Sequence, residues 1–414
     1  MSGLSYLEKL LDGAEVEWKV LGDVAKKIYS GGTPDTKKTE YWEGGTFPWM
    51  SSGEVNLKTV KETEKYITEA GLNNSSAKLV PKNSVVMALA GQGKTRGKVA
   101  RTRIALTTNQ SLAALTFDEK KINSDYIFHF LETQYESLRQ ISSGNSGRGG
   151  LNLQMISAYK VPVPCPNNPE KSLAIQSEIV RILDAFTALT NELTNELKLR
   201  KKQYNYYREQ LLSFKEGEVE WKPLGKVLER TKGTKITAGQ MKELHKDGAP
   251  IKIFAGGKTI AFVNFDDIPE KNINREPSII VKSRGIIEFE YYDKPFSHKN
   301  EMWAYHSNNY AIHIKYIYYF MRVNESYFQK IASKMQMPQI ATPDTDKFKV
   351  PIPCPDNPEK SLAIQSEIVR ILDKFDTLTN SISEGLPREI ELRKKQYEHY
   401  RNLLFSFPKP VADN

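Results

Sequence analysis

A glycine-loosened basic loop is the stretch of this 414-residue sequence whose residue types most directly suggest chemistry. The segment 91–103 (GQGKTRGKVARTR) holds five basic residues and no acidic one. The GKT that begins at Gly93 would complete a phosphate-binding P-loop, but that motif requires a glycine where Ala88 stands. A second GKT, at Gly257, fails because Lys252 occupies the required position. We therefore expect the loop to track DNA phosphates and not to bind ATP, the alternative being a merely solvated loop.

Amide and guanidinium side chains that could read base edges follow this loop. Asn and Gln pair bidentately with adenine, and Arg pairs with guanine. Each such residue taken alone could instead serve as a turn or capping residue. The first candidates for base reading are Asn109, Gln110, Asn145, Arg148 and Asn152.

Catalytic and metal-binding motifs are missing from the sequence. It contains no Asn/Asp-Pro-Pro-Tyr/Phe motif for adenine methylation, no complete Walker A motif and no acidic nuclease cluster. The six histidines are scattered, and His298 makes at best a lone DNA contact. Cys165 and Cys354 form neither a disulfide framework nor a zinc site, so we interpret them as inert thiols. We expect this chain to bind and not to catalyse.

The composition favours a globular protein with a polyanionic partner. The hydrophobic fraction of 39% and the length allow two or three domains. The net charge is +9, with +5 on residues 22–158, +5 on residues 225–348 and −1 on the rest of the chain. No apolar run reaches the ~18 residues that span a bilayer, and the first residues lack the order of a signal peptide, so we expect a cytoplasmic protein.

The elements that must position these residues are set by an internal repeat. Only two of 24 positions differ between its two longest copies. The N-terminal residues resemble the end of a repeat helix, which predicts that the chain ends approach each other. The repeated pairs are 161–184 with 350–373, 200–214 with 393–407, and 15–22 with 218–225. The predicted domains are 1–22 (repeat stump), 23–158 (first variable body), 159–217 (central repeat helix), 218–225 (second copy of 15–22), 226–347 (second variable body) and 348–414 (distal repeat helix).

Both variable bodies look α+β, with strands first and then a helix and a polar loop, although they share no run that aligns. Apolar runs predict strands at 83–90, 103–117, 250–254, 277–281 and 285–292, and helical spacing predicts helices at 126–141 and 310–323.

The repeat helices are the strongest structural prediction. Apolar spacings of three and four predict a helix over 172–212, about 60 Å long, with 361–405 as its coiled-coil partner. The second helix should break at Gly385 and restart at Pro387. The first carries a tandem TNEL, whose positions Thr190, Leu193, Thr194 and Leu197 we expect to act as a spacer, the alternative being a neutral duplication.

With these repeats, the TNEL tandem, the GGTP…YW…FPWMSSG pattern at 31–53 and the NQS at 109–111, the chain resembles a DNA-specificity subunit of a type I restriction–modification enzyme. The resemblance covers essentially the full length. It implies two target-recognition domains separated by an antiparallel coiled coil, each gripping half of a bipartite DNA target. It also implies two methyltransferase subunits and two restriction (motor-nuclease) subunits as partners. No cofactor is then expected on this chain, with S-adenosylmethionine, ATP and Mg²⁺ on the partner subunits.

The residues expected to contact DNA fall in both bodies. Beyond the five base-reading candidates, those of the first body are Gly31, Thr33, Trp42, Ser52, Gln92, Lys94, Thr95, Arg96, Lys98 and Arg101. Those of the second body are Lys235, Gly256, Lys258, Arg275, Arg284, His298, Lys299, Lys334, Gln336 and Gln339.

Two alternatives to the specificity subunit stay open. A DNA methyltransferase or nuclease with a divergent active site would require S-adenosylmethionine or metal binding by the isolated chain. A coiled-coil architectural protein would bind DNA without preferring two unrelated half-sites.

Overall fold

The structure, a computed structural model, describes residues 6–91, 95–143, 149–215, 217–257, 259–333 and 337–408. The chain divides into two compact units. The first comprises residues 1–193 and 390–414, and the second comprises residues 194–389. Both units combine sheets with helices, so the predicted α+β class is confirmed.

The described part of the first unit begins with a short helix, and its variable body is followed by the long repeat helix. Its strands are β1 (Val16–Val20), β2 (Lys27–Ser30), β3 (Phe47–Met50), β4 (Thr59–Val60), β5 (Lys65–Ile67), β6 (Leu79–Val80), β7 (Val85–Ala88), β8 (Val99–Thr102), β9 (Leu106–Thr108), β10 (Leu112–Thr116) and β11 (Lys160–Pro164). Its helices are α1 (Tyr6–Leu11), α2 (Leu21–Val24), α3 (Glu69–Asn73), α4 (Ser124–Thr133), α5 (Tyr135–Ser143), α6 (Leu153–Ser157) and the start of α7 (Pro169–Leu211).

A five-stranded sheet of order β2-β10-β7-β8-β4 separates two apolar cores in this unit. Alternate residues of β7 point to opposite faces, so Val85 and Met87 join the core under α4, while Val86 and Ala88 join the other core. Burial on both faces explains why β7 is a continuous apolar run. A four-stranded sheet, β5-β3-β9-β6, lies beside it, and β1 pairs with β11.

The second unit repeats this plan with different sequences. Its strands are β12 (Val219–Pro223), β13 (Glu229–Arg230), β14 (Ile251–Phe254), β15 (Ile260–Val263), β16 (Ser278–Lys282), β17 (Glu288–Tyr292), β18 (Phe296–His298), β19 (Trp303–His306) and β20 (Lys349–Pro353). Its helices are α8 (Leu224–Val227), α9 (Ala238–Leu244), α10 (Ile314–Val323), α11 (Glu325–Ala332), α12 (Thr342–Asp346) and α13 (Pro358–Asn380), and α14 (Gly385–Leu404) begins in this unit and ends in the first.

Three sheets organise the described residues of the second unit. Their orders are β13-β19-β16-β17, β15-β14-β18 and β12-β20. The central strand β16 again divides two cores, because Ile279 and Val281 face α10 and α13 while Ile280 faces Phe254 and Phe296.

The predicted repeat helices are confirmed. The 43 residues of α7 form one uninterrupted helix, about 65 Å long at 1.5 Å per residue. The second helix breaks as predicted, between Asn380 and Gly385, although α14 restarts two residues before Pro387. Stacked rings pack the helices within each unit. Phe186 stacks on Tyr400 in the first unit, and Tyr204 stacks on Phe375 in the second.

One prediction for the bodies needs correction. The helix expected over 126–141 is two helices, α4 and α5, separated at Gln134. Each body contains an expected helix, α4 in the first and α10 in the second, and both helices place a tyrosine at the same point of the frame, by which we mean the repeated segments of the chain. The hydroxyl of Tyr126 donates to the carbonyl of Pro162 at 2.8 Å, and that of Tyr316 donates to Pro351 at 3.0 Å.

The chain ends approach each other within the first unit, as predicted. The indole NH of Trp18 donates to the carbonyl of Pro408 at 2.7 Å. Leu7 of α1 is buried in the same core as Leu404 and Phe407. None of the helices in the described ranges is long and apolar enough to cross a membrane.

Candidate nucleic-acid interface

Three polar segments that are far apart in the sequence meet in the first unit. The hydroxyl of Thr33 donates to the side-chain oxygen of Gln110 at 2.6 Å. The backbone NH of Asn109 donates to the carbonyl of Met50 at 3.1 Å. One surface therefore gathers the loop after β2, the end of β3 and the turn before β10. We call it the first polar edge, and it consists of residues 31–34, 50–53 and 109–111.

Close packing beneath the first polar edge explains its glycines and tryptophans. A Cβ at buried Gly31 would overlap the carbonyl and hydroxyl oxygens of Thr108. Packing against Thr108, and not DNA binding, therefore explains why this position is a glycine. Trp49 donates to the carbonyl of Gly32 at 3.1 Å, and half-buried Trp42 packs edge-on against Trp49. These rings support the loop from below.

The described end of the basic loop lies beside this edge. The backbone NH of Leu89 donates to the carbonyl of Ser111, and the carbonyl of Leu89 accepts from the NH of Leu151. The loop, the NQS turn and the segment after residue 149 are thus neighbours. Lys98 donates to the side-chain oxygen of Asn56 at 2.8 Å, and the Arg96 guanidinium donates to the carbonyl of Gly149.

Several predicted readers in the first unit hold local structure. The side-chain oxygen of Asn109 accepts from the NH of Ser111 at 3.1 Å, and that of Asn152 caps α6 by accepting from the NH of Met155 at 2.8 Å. Thr95 donates to the carbonyl of Ala90 at 3.3 Å. Half-buried Ser52 lies at the start of a short 3₁₀ helix. Such bonds fix where the remaining polar atoms point.

Arg101 is not a DNA contact, which corrects its prediction. The residue is 8% exposed, and its guanidinium lies 2.9 Å from Asp184 of α7 and 3.5 Å from Asp125 of α4. Its Nε donates to the hydroxyl of Thr59 at 3.0 Å. A cation this buried requires a paired anion, so Arg101 fastens β8 to the repeat helix.

Asp184 receives a second partner from the body. Its Oδ1 lies 2.9 Å from Nε2 of His129, which is buried on α4. Burial alone would raise the pKa of Asp184, but the hydrogen bond from His129 and the charge of Arg101 outweigh it and lower the pKa. The ionised carboxylate therefore joins two body elements to α7.

A neighbouring glutamine of α7 orients α4. The side-chain oxygen of Gln176, which is fully buried, accepts from the backbone NH of Asn123 at 2.9 Å. Asn123 is the N-cap of α4, where the NH groups have no partner within the helix. The repeat helix thus supplies a hydrogen-bond acceptor for a backbone NH at the start of the body helix α4.

The second unit uses the same two repeat positions with different partners. Asp373 is paired with Lys315 at 2.9 Å and accepts from the hydroxyl of Tyr319. Gln365 accepts from the NH of His313, the N-cap of α10, at 2.9 Å. One frame therefore holds two unrelated bodies in the same way.

A corresponding polar edge forms in the second unit by backbone pairing. Thr234 pairs with Lys299 in parallel fashion, and Arg284 pairs with Gln339 in antiparallel fashion. The NH of Lys299 donates to the carbonyl of Phe254 at 2.9 Å. We call this surface the second polar edge, and it consists of residues 234–235, 254–257, 284–286, 299 and 337–339.

The remaining candidates of this unit differ in their availability. Lys235 is exposed, and Gly256 has open space around its Cα. Lys299 is paired with Glu301 at 2.7 Å. Arg275 is paired with Glu270 and lies over the Phe265 ring. The paired cations would have to exchange a carboxylate for a phosphate to meet DNA.

His298 is buried at 1% exposure, so its predicted DNA contact is wrong. Its Nδ1 lies 2.9 Å from the carbonyl of Lys299, and its Nε2 lies 2.8 Å from the hydroxyl of Thr231. The carbonyl only accepts, so Nδ1 carries the proton and Nε2 accepts from the threonine. Burial lowers the pKa of His298, which favours this neutral form.

Some candidates lie outside the described residues. They are Gln92, Lys94, Asn145, Arg148, Lys258, Lys334 and Gln336. In the part of the chain that the structure describes, no group of three or more His, Cys, Asp or Glu side chains is placed to hold a metal ion.

The sequence analysis missed the residues that seat the bodies on the frame. Asp184 and Gln176 lie on the apolar stripe of a repeat helix, and both recur in the second copy. A polar residue on an otherwise apolar face that is kept in both copies is a usable signal for such an attachment.

The family described as "Type I restriction modification DNA specificity domain" matches residues 14–200 and 217–392. The Escherichia coli "Type I restriction enzyme EcoR124I/EcoR124II specificity subunit" is 38% identical over 432 residues, covering 99% of each chain. The E. coli "Type I restriction enzyme EcoprrI specificity subunit" is 34% identical over 395 residues, covering 93% of each. The family match falls on both units.

The fold also has a solved counterpart. The S subunit of a type I restriction–modification system from M. genitalium superposes with a TM-score of 0.61 at 14% identity, covering 97% of this chain and 98% of that one. The likeness extends over both bodies and the repeat frame. The chain belongs to the DNA-specificity subunits of type I restriction–modification systems, whose role is recognition and not catalysis.

Proposed function

We propose that each unit reads one half of a bipartite double-stranded DNA target through its polar edge. The observation that carries this proposal is the contrast between frame and edge. Asp184 and Asp373 hold their bodies at matching positions, yet the two edges expose different side chains. A repeated frame that carries two different edges is suited to recognising two unrelated DNA sequences.

The repeated exposed surface supports two copies of a methyltransferase partner. Arg181 pairs with Glu178 at 2.7 Å, and Arg370 pairs with Glu367 at 2.6 Å, on equivalent turns of α7 and α13. Neither pair is needed by the body cores. A partner that binds one copy of this surface would find the same chemistry at the other. Two restriction subunits then complete the enzyme, and S-adenosylmethionine, ATP and Mg²⁺ bind to the partner subunits.

The TNEL tandem supports a spacer role for α7. Its eight residues lie inside a continuous helix, and the boundary between the two units falls between Leu193 and Thr194. The helix would then set how many unread base pairs separate the two half-sites.

Reconstitution tests this assignment. The purified chain alone should neither methylate nor cleave DNA, whereas mixing it with its methyltransferase subunit should give a complex with two methyltransferase copies that methylates one bipartite sequence. Native mass spectrometry gives the stoichiometry, and methylation mapping gives the sequence. Turnover by the isolated chain would favour the divergent-enzyme alternative, and methylation without two defined half-sites would favour the architectural one.

A further inference from the structure

We propose that the tip of the β16–β17 hairpin and the segment 337–340, which pairs with it, enter the DNA major groove and read bases. In this arrangement Arg284 recognises a guanine and Gln339 recognises an adenine close to it. This inference rests on the proposed function, and it separates base reading from phosphate contact within the second polar edge.

Backbone hydrogen bonds build the reading element from segments 55 residues apart. The hairpin connection carries Arg284, Gly285 and Ile286 between β16 and β17. The NH of Gly285 donates to the carbonyl of Pro338 at 2.9 Å, and the NH of Ile340 donates to the carbonyl of Ser283 at 3.0 Å. Gly285 has a φ of +79°, a conformation that favours glycine. The result is a short antiparallel ribbon with Arg284 opposite Gln339.

The two opposed side chains of this ribbon are exposed and available to bind DNA. Arg284 and Gln339 are exposed, and neither side chain makes a hydrogen bond or ion pair with another described residue, although Glu301 lies close enough to feel the charge of Arg284. By contrast, Lys299 on the same edge and Arg275 elsewhere in this unit are already paired. Arg284 can therefore offer its full planar fork to a base.

Two apolar side chains flank the pair. Ile286 is 56% exposed and Met337 is 58% exposed. Exposure of large apolar groups to water is unfavourable, and contact with another apolar group lowers the free energy. The thymine methyl group, which projects into the major groove, is such a partner.

The base of the hairpin is held rigidly, as a reader requires. Lys282 lies 2.6 Å from Glu288 and 2.9 Å from Glu290, which joins the two strands just below the tip. The side-chain amide of Gln329 donates to the carbonyl of Ile287 at 3.1 Å. A tip that is ordered before binding loses less conformational entropy on the DNA.

The first unit forms a backbone hydrogen bond at the corresponding place, without these side chains. Leu151 donates to Leu89 there, as Ile340 donates to Ser283 in the second unit. The flanking residues are Ala90 and Gly150, which carry no hydrogen-bonding side chain. The matched positions therefore distinguish the two units, as expected if they read different sequences.

The dimensions of the ribbon suit the groove. The major groove of B-DNA is about 12 Å wide and admits a two-stranded β ribbon. Neighbouring strands lie roughly 5 Å apart, so side chains from both strands reach the floor together. Arginine pairs bidentately with guanine O6 and N7, and glutamine pairs with adenine N6 and N7.

The test uses the chain in complex with its methyltransferase subunits. Binding is measured against duplexes in which each base pair of both half-sites is varied in turn. Arg284→Ala should reduce the preference at one guanine of a single half-site by roughly 5- to 150-fold, and Gln339→Ala should do so at one adenine. Arg284→Lys should also lose this preference, because lysine lacks the planar fork.

Lys235→Ala is the matched control, since Lys235 is an exposed cation of the same edge. It should weaken binding to all duplexes alike and lower the salt slope by about one. If Arg284→Ala behaves in that way, or changes nothing, the inference is overturned. The other half-site reports in each variant whether the complex is folded and loaded. A wild-type complex without bipartite preference would instead reject the proposed function.

Discussion

Asp184 and Arg101, which lie 83 residues apart, form an ion pair of 2.9 Å that joins α7 to β8. The side chain of Arg101 is 10% exposed and that of Asp184 is 35% exposed. His129 adds a hydrogen bond to the same carboxylate. The recognition body and the repeat helix are thus held together by a partly buried charge pair, and its counterpart in the second unit is Asp373 with Lys315.

Asp184→Ala should destabilise the first unit because it leaves Arg101 buried without its main anion. We expect a loss of about 3 kcal/mol, near the lower end for a broken buried pair, since Asp184 is partly exposed. Urea unfolding followed by tryptophan fluorescence measures it. Glu178→Ala, which removes a surface partner of exposed Arg181 and of the Tyr6 hydroxyl, is the control on the same helix and should cost much less. Equal losses in both variants would count against a fastening role for Asp184.

The same pair predicts a pH dependence. The pKa of Asp184 is lowered in the folded chain, so its contribution is complete above the unfolded value of about 3.9 and is lost as the pH falls through the folded pKa. The stability gap between the wild type and Asp184→Ala should therefore be full above pH ~5 and shrink on acidification. Urea midpoints taken between neutral pH and pH ~3 measure this gap. A gap that widens towards low pH would contradict the ionised pair.

In the first unit, phosphate attraction and base choice should separate by residue. Lys94, Arg96 and Lys98 changed to alanine should weaken all sequences alike and flatten the salt dependence. Asn109 and Gln110 changed to alanine should alter which sequence is chosen, because they lie on the first polar edge beside Thr33. Binding of the methyltransferase complex to specific and random duplexes at several salt concentrations distinguishes the two effects. A sequence-dependent loss from replacing these three basic residues would reverse the assignment.

A third TNEL after Leu197 should lengthen the unread spacer by one base pair. Four residues add about 6 Å and a turn of about 40° beyond a full rotation. DNA advances about 3.4 Å and turns roughly 34–36° per base pair. Rotation should decide, because a body on the wrong side of the duplex cannot reach its groove, whereas bending of the helices absorbs the excess rise. Deep sequencing of methylated sites shows the spacer, and an unchanged spacer with full activity would mean that the tandem is not the ruler.

The repeat helices and central strands could be predicted because residues close together in the sequence determine them. Neighbouring residues in the sequence indicate the apolar spacing of α7, the break before Gly385 and the central strands. The bonds that place the site are not local. No period in the sequence indicates that Arg101 reaches Asp184, that His298 is buried, or that Arg284 meets Gln339.

The corrected residues share one cause. Arg101 and His298 are polar types that a sequence pattern places at the surface, but each is buried because a partner elsewhere in the chain satisfies it. Gly31 was expected beside DNA, yet contact with Thr108 explains its lack of a side chain. Contacts between residues distant in the sequence therefore determine which candidates remain available to bind DNA.

Exchange of one body tests the central claim most directly. Residues 23–158 are replaced by the corresponding body of another specificity subunit, and the methylated sites of cells carrying the chimera are mapped. The account predicts that one half-site changes to that of the donor while the other half-site is unchanged. Loss or change of both half-sites in a folded chimera that still assembles with the methyltransferase would contradict two separable readers on one frame.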